Sequence, residues 1–297
     1  MKWAVYLVIF LLWSVAVKAD ADGPDFYQIA GKGSVQMFAD KAVNSQLLLL
    51  IPQGTNGLQN LGCSGGPSFS DWQAMDDQQR LADKQKAWCK ISVNGRQGWV
   101  LRQHLSEGSV ISEKPTFDCT AARPHEIEIL ICGNNELIAL DLKMAQVYKA
   151  ATAAASALDI DAVSAKKALQ QSQNGWIKGR NECWKAVHDK AACTIDAYKQ
   201  RITKLQIQWL LIAETNVAVY TCSDNYEDEL SARFFIDTEM PGALIDYGDR
   251  NEVFIQQRAA SGARYVGDYG KVFWVKGQQA NFTWQQSNID KTCVIVN

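Results

Sequence analysis

Ser261-Gly262-Ala263-Arg264-Tyr265, followed after a short interval by Phe273-Trp274-Val275-Lys276-Gly277-Gln278-Gln279-Ala280, is the most informative stretch of the chain. Between the two blocks, Val266-Gly267-Asp268-Tyr269-Gly270 has the glycine and aspartate chemistry of a tight turn, so the blocks read as the arms of one β-hairpin. Pairing the arms brings Ser261 and Lys276 near each other. A hydroxyl and an ammonium on one exposed edge make a small donor cluster able to enter an anionic cleft. The ordinary alternative is a hairpin with a solvated lysine, which is the default for any isolated Lys. Further short strand-like runs flank the hairpin, at 217–222, 230–235, 242–247, 251–256, 280–284 and 292–296. With the two arms, at 263–265 and 271–276, they predict an eight-stranded antiparallel β-barrel over residues 214–297.

The whole chain has 297 residues, enough for two or three domains. Its 30 basic and 32 acidic residues leave a formal charge of −2 with no long basic run, which excludes a nucleic-acid footprint. Residues 1–19 read as a secretory signal peptide, with Lys2 as the only early charge, an apolar core at 5–17 and a small-residue site at Val17-Lys18-Ala19. That segment is too short for a stable membrane anchor, and no Cys follows it as a lipoprotein requires. A soluble periplasmic location is therefore expected. The chain's eight cysteines, Cys63, Cys89, Cys119, Cys132, Cys183, Cys193, Cys222 and Cys293, make an even set that implies four disulfides in an exported protein. Sequence alone leaves the connectivity open; the economical arrangement pairs them in order, 63 with 89, 119 with 132, 183 with 193 and 222 with 293. His104, His125 and His188 are scattered and no C-x-x-C occurs, so neither a metal site nor a cofactor is expected.

Residues 24–108 contain an apolar run at 47–51 ending in Pro52-Gln53-Gly54-Thr55, then Ala87-Trp88-Cys89-Lys90-Ile91-Ser92-Val93, an Asn94-Gly95 turn and Gly98-Trp99-Val100. These features resemble a bacterial SH3-like (SH3b) domain, which implies a small β-barrel and, since such domains often bind cell-wall peptides, peptidoglycan as a partner. Trp88 and Trp99 are expected in the barrel core, whereas Trp72 lies in a polar insertion, 64–86, expected to be a surface loop. Residues 115–213 are helical. Leu137, Leu140, Met144, Val147 and Ala151 recur at helical spacing after Asn134-Asn135, and further helices are expected at about 161–184 and 193–212, packed as a small disulfide-stapled bundle. The pattern Phe117-Asp118-Cys119, Ile131-Cys132, Trp176-x-x-x-Arg180-x-x-Cys183 and Cys193-x-x-x-x-Tyr198-x-x-Arg201 resembles the LprI-like lysozyme-inhibitor domain. Arg180 and Arg201 are expected as structural ion-pairing or capping residues, and no plug-like cluster stands out in this region.

The opening stretch resembles the signature of the MliC/PliC family of inhibitors of c-type lysozyme, S-G-x-x-Y followed by F-W-x-K-G-x-x-A, with both halves in order. The resemblance spans 214–297 and implies a small barrel whose Ser261 and Lys276 plug the lysozyme active site, with Gly262, Arg264 and Tyr265 shaping that loop. The interval between the halves is one residue longer than in close family examples. A c-type lysozyme presents two carboxylates in its cleft, the handiest example of paired carboxylate chemistry. An ammonium about 4 Å from a carboxylate gains roughly 4 kcal/mol at an intermediate dielectric, much of it offset by dehydration. The expected function is a non-catalytic binder with c-type lysozyme as partner. Two other classes stay open: a peptidoglycan-binding envelope protein, and a wall hydrolase, against which stand the lack of a spare Cys and of any His or carboxylate pair in a catalytic context.

Overall fold

A computed structural model describes residues 23–187, 189–222, 229–284 and 289–296. The candidate leader at 1–19 and His188 lie outside the described residues. The N-terminal part is one curled antiparallel sheet built from β1 (Phe26–Ile29), β2 (Val35–Phe38), β3 (Leu47–Ile51), β4 (Leu58–Ser64), β5 (Trp88–Val93), β6 (Arg96–Leu101) and β7 (Leu105–Glu107). Their order is β3-β2-β6-β5-β4-β1-β7, a half-barrel consistent with the expected SH3-like unit. Its core contains Tyr27, Met37, Ile51, Leu58, Ile91 and Val100.

Two expectations for this part are corrected. Strict alternation along β5 buries Cys89, Ile91 and Val93, so Trp88 faces outward with Lys90 and Ser92; Trp99 on β6 faces outward likewise. The two indoles are half-buried on the outer surface, Trp88 edge-on to Phe38 and Trp99 beneath the Lys41 ammonium. The insertion is not a bare loop either, but two short helices, α1 (Phe69–Ala74) and α2 (Asp77–Lys86). Ser68 caps the first by accepting from Asp71 N, and Asp76 with Gln79 forms a reciprocal capping box on the second. Trp72 sits on α1, exposed, with the Arg80 guanidinium 4.4 Å from its ring centre.

The middle part comprises α3 (Glu126–Cys132), α4 (Asn135–Ser156), α5 (Ala162–Asn181) and α6 (Lys190–Gln208). Asn134 caps α4 by accepting from Leu137 N, as the sequence suggests. Leu137, Leu140, Met144, Val147 and Ala151 on α4 meet Leu169 of α5 and Tyr198, Ile202 and Leu205 of α6 in one core. A buried polar chain runs through it. Arg180 Nη1 donates to the Tyr198 hydroxyl at 2.7 Å, and that hydroxyl donates to Asp141 Oδ1 at 2.7 Å. The other Asp141 oxygen accepts from Thr116 N and Oγ1. Burial raises the Tyr198 pKa far above the usual phenol value, the Arg180 charge opposing the shift and Asp141 adding to it. Arg180, which also donates to Asn181 Oδ1 from Nε and Nη2, is thus structural, as expected.

The C-terminal part is a closed antiparallel barrel of β8 (Asn216–Thr221), β9 (Glu229–Phe235), β10 (Gly242–Tyr247), β11 (Arg250–Gln257), β12 (Ala263–Val266), β13 (Val272–Lys276), β14 (Gln279–Trp284) and β15 (Ile289–Ile295). Inward residues such as Tyr220, Leu230, Ile245, Phe254, Phe273 and Phe282 fill it. The four disulfides join Cys63 to Cys89, Cys119 to Cys132, Cys183 to Cys193 and Cys222 to Cys293, the in-order arrangement. The bridge between Cys222 and Cys293 ties the segment after β8 to β15, beside the seam where the barrel's first and last strands pair.

The three parts pack on one another. Ile129 of α3 joins the core of the N-terminal sheet, and Asn56 N donates to the Gly133 carbonyl at 2.6 Å. Helix α6 lies along the outer surface of the barrel, where Ile207 packs with Phe235, Leu244, Ile212 and Val253. Full burial of one such side chain contributes about 1.5–3 kcal/mol, so this seam is a substantial joint. Ion pairs from Lys143 to Glu239 and from Lys204 to Asp268 flank it.

Candidate functional site

Antiparallel alternation sends the loops of the barrel to two opposite ends. The β9–β10, β11–β12 and β13–β14 connections share one end, while the β10–β11 and β12–β13 turns share the other. In the β12–β13 hairpin Ala263 pairs with Val275, Arg264 with Trp274, Tyr265 with Phe273 and Val266 with Val272. The two sequence blocks are therefore the arms of one hairpin, and the longer turn does not disturb their register.

Ser261 and Lys276 are both exposed and meet at the first of those ends. The close approach is fixed by Gly262, whose φ is +67° and on which a Cβ would lie 2.2 Å from the Val275 carbonyl oxygen and 3.0 Å from Lys276 Cγ. No other residue type fits there without moving the loop. Trp274, on the outer face of β13, holds the two sides together. Its indole Nε1 donates to the Ser261 carbonyl at 2.9 Å, and its ring lies under the Lys276 ammonium at 3.7 Å from the centroid. The ring thus serves as a platform for the lysine and a clamp on the serine loop.

Arg264 stands half-buried opposite Trp274 on the same outer face. Tyr265 points the other way, into the barrel, where it packs at 5.5 Å from the Phe234 ring and 6.4 Å from the Phe273 ring. Burial, with Tyr220 nearby, raises its phenol pKa. Tyr265 therefore supports the hairpin from within and does not reach the surface. Trp274 lies within the sequence motif but is not among the site residues that the motif implies. The signal was its place two residues before Lys276, on the same face of a strand.

The arrangement offers one ammonium and one hydroxyl on a braced ridge, with no nucleophile and base in contact. Among the described residues, no cluster of His, Cys, Asp or Glu is arranged to hold a metal ion, and no helix is long and apolar enough to cross a membrane. An exposed ammonium beside a serine loop is suited to an acceptor-rich, anionic surface.

Comparison with protein-family models gives two matches. Residues 220–291 match the membrane-bound lysozyme-inhibitor of c-type lysozyme family, MliC, and residues 119–217 match the lysozyme inhibitor LprI family. No curated protein and no solved structure matches the chain. The disulfide-stapled helices are therefore similar to the LprI family and the closed barrel to the MliC family, both of them families of lysozyme inhibitors.

Proposed function

We propose that this protein is an exported, non-catalytic inhibitor of c-type lysozyme, and that the Ser261–Lys276 end of the barrel enters the enzyme's active-site cleft. The observation that carries the reading is the braced pair itself. Gly262 and Trp274 hold the backbone of the Ser261 loop and the Lys276 ammonium beside one another on an exposed ridge before any partner arrives. Such preorganisation lowers the ordering cost of binding. The cleft offers carboxylates for the Lys276 ammonium and hydrogen-bonding groups for Ser261, while Arg264 flanks the ridge and Tyr265 stiffens it. The N-terminal half-barrel and its exposed Trp72 supply a surface toward the peptidoglycan that the inhibitor would protect. Export to the periplasm fits both this task and the four disulfides.

The test uses the full mature chain in a cell-wall lysis assay with c-type lysozyme. Lys276→Ala is expected to weaken inhibition at least tenfold with the thermal unfolding curve unchanged, because an exposed lysine contributes about 0–1 kcal/mol to stability. Inhibition equal to that of the parent chain removes Lys276 from the contact.

A further inference from the structure

At the opposite end of the β12–β13 hairpin a cleft of about 610 Å³ opens between the helical domain and the barrel. One wall is helical, with Arg201, Lys204 and Trp209; the other belongs to the barrel, with Asp268, Tyr269 and Lys271. Volume and place both suit a ligand site, since such sites favour domain junctions and occupy roughly 300–1,000 Å³.

Four features give it a chemical character. Two aromatic residues face the space from different domains, Trp209 at the end of α6 and Tyr269 at the tip of the hairpin turn. Tyr269, at the centre of the turn, is 75% exposed at a φ of +59°, a left-handed conformation unusual for a bulky residue, and the turn thereby presents its ring to solvent. The charges do not cancel. Lys204 is paired with Asp268 and Lys271 with Glu252, whereas Arg201 donates only to the neutral Gln173 Oε1 at 3.0 Å and Ser172 Oγ at 2.9 Å and forms no ion pair among the described residues. Finally, the Trp209 indole Nε1 is buried, so what Trp209 offers the cleft is its apolar ring surface and not its N–H. Flat aromatic faces suit the C–H faces of pyranose rings, and a spare guanidinium suits a carboxylate.

We propose that this interdomain cleft binds an acidic saccharide, its rings against Tyr269 and Trp209 and its carboxylate on Arg201. The site is separate from the Ser261–Lys276 ridge and stands whether or not that ridge enters lysozyme. The carboxylate could be the lactyl group of a wall-derived muramic acid or a uronic acid of another glycan, and the two are separable by experiment.

Isothermal titration calorimetry of the full mature chain would compare three probes. These are the N-acetylglucosamine–N-acetylmuramic acid disaccharide, a hyaluronan tetrasaccharide bearing uronic acids, and neutral chitotetraose. At least one acidic probe is expected to bind, and chitotetraose at least fivefold more weakly; whichever acid is preferred identifies the source. Arg201→Gln and Tyr269→Gly should each weaken binding by about tenfold, while Lys276→Ala leaves it unchanged. Tyr269→Gly relaxes the left-handed backbone and keeps the fold, so its loss of binding cannot be laid to unfolding. No binding of either acidic probe at millimolar concentration, equal binding of chitotetraose, or full affinity in both cleft variants overturns the proposal.

Discussion

Replacing Gly262 by alanine adds one methyl group at the point where the serine loop crosses β13. That methyl carbon would stand 2.2 Å from the Val275 carbonyl oxygen, in a residue whose φ is +67°. The left-handed backbone costs a non-glycine residue roughly 1–2 kcal/mol, and relieving the overlap requires the loop to retreat by about 1 Å, the shortfall from ordinary van der Waals contact. The hydrogen bond from Trp274 to the Ser261 carbonyl, 2.9 Å long, is then stretched or lost. Because the loop is exposed and the barrel is closed by its own ladder and a disulfide, the total loss of stability should stay within about 1–3 kcal/mol. Inhibition should suffer more, since a recognition pair misplaced by about 1 Å forfeits a charge-assisted hydrogen bond of about 1.5–3 kcal/mol, or at least tenfold in potency. The control is Gly277→Ala, at a φ of +61° in the neighbouring turn but with nothing within 4 Å of the added carbon. It carries the strain without the collision. Lysis inhibition by the two variants, with near-ultraviolet circular dichroism to verify the barrel, measures the difference. If Gly262→Ala inhibits as well as Gly277→Ala, the braced-pair argument is wrong.

Asp141→Ala would leave the buried Tyr198 hydroxyl, and Thr116 with it, without an acceptor in the helical core. Losing a hydrogen bond to a buried charged group costs about 1.5–3 kcal/mol, so chemical denaturation should show the helical domain unfolding first in this variant, and an unshifted transition would show the network to be dispensable. The phenols of Tyr27, Tyr198, Tyr220 and Tyr265 all have pKa values raised by burial. A raised folded-state pKa contributes stability that is fully present below the unfolded phenol value of about 10 and lost as pH rises through the folded values. The thermal unfolding midpoint should accordingly fall steadily above about pH 10, with the absorbance of these four tyrosinates appearing only together with unfolding; ionisation of all nine tyrosines in the folded protein at the ordinary phenol pH would contradict the assignment.

The barrel was legible because its strands are short, regularly spaced and punctuated by polar turns, and because inward positions such as Phe273 and Tyr265 alternate with outward ones such as Trp274 and Arg264. The long helices were legible from their apolar spacing and from Asn134 as a cap. What escaped was of two kinds. Helices α1 and α2 bury almost nothing, so no apolar periodicity announces them; only the capping signals at Ser68 and at Asp76 with Gln79 do. The outward placement of Trp88 and Trp99 escaped because large aromatics are assigned to cores by habit, although Cys89, Ile91 and Val93 hold the inward register. At the site, the motif gave Ser261 and Lys276, but Trp274 as their brace needs the pairing register, and the interdomain cleft needs two chain segments some 60 residues apart, as in the link from Lys204 to Asp268.

The docking of α6 against the barrel limits how the chain can be dissected. A fragment cut at residue 214 would keep every strand and the bridge between Cys222 and Cys293, yet expose Phe235, Leu244 and Val253, which Ile207 now covers. Such a fragment would be sticky for reasons unrelated to inhibition. A clean excision keeps α6 attached, or replaces those three side chains with polar ones, so that a silent fragment is not mistaken for an inactive domain.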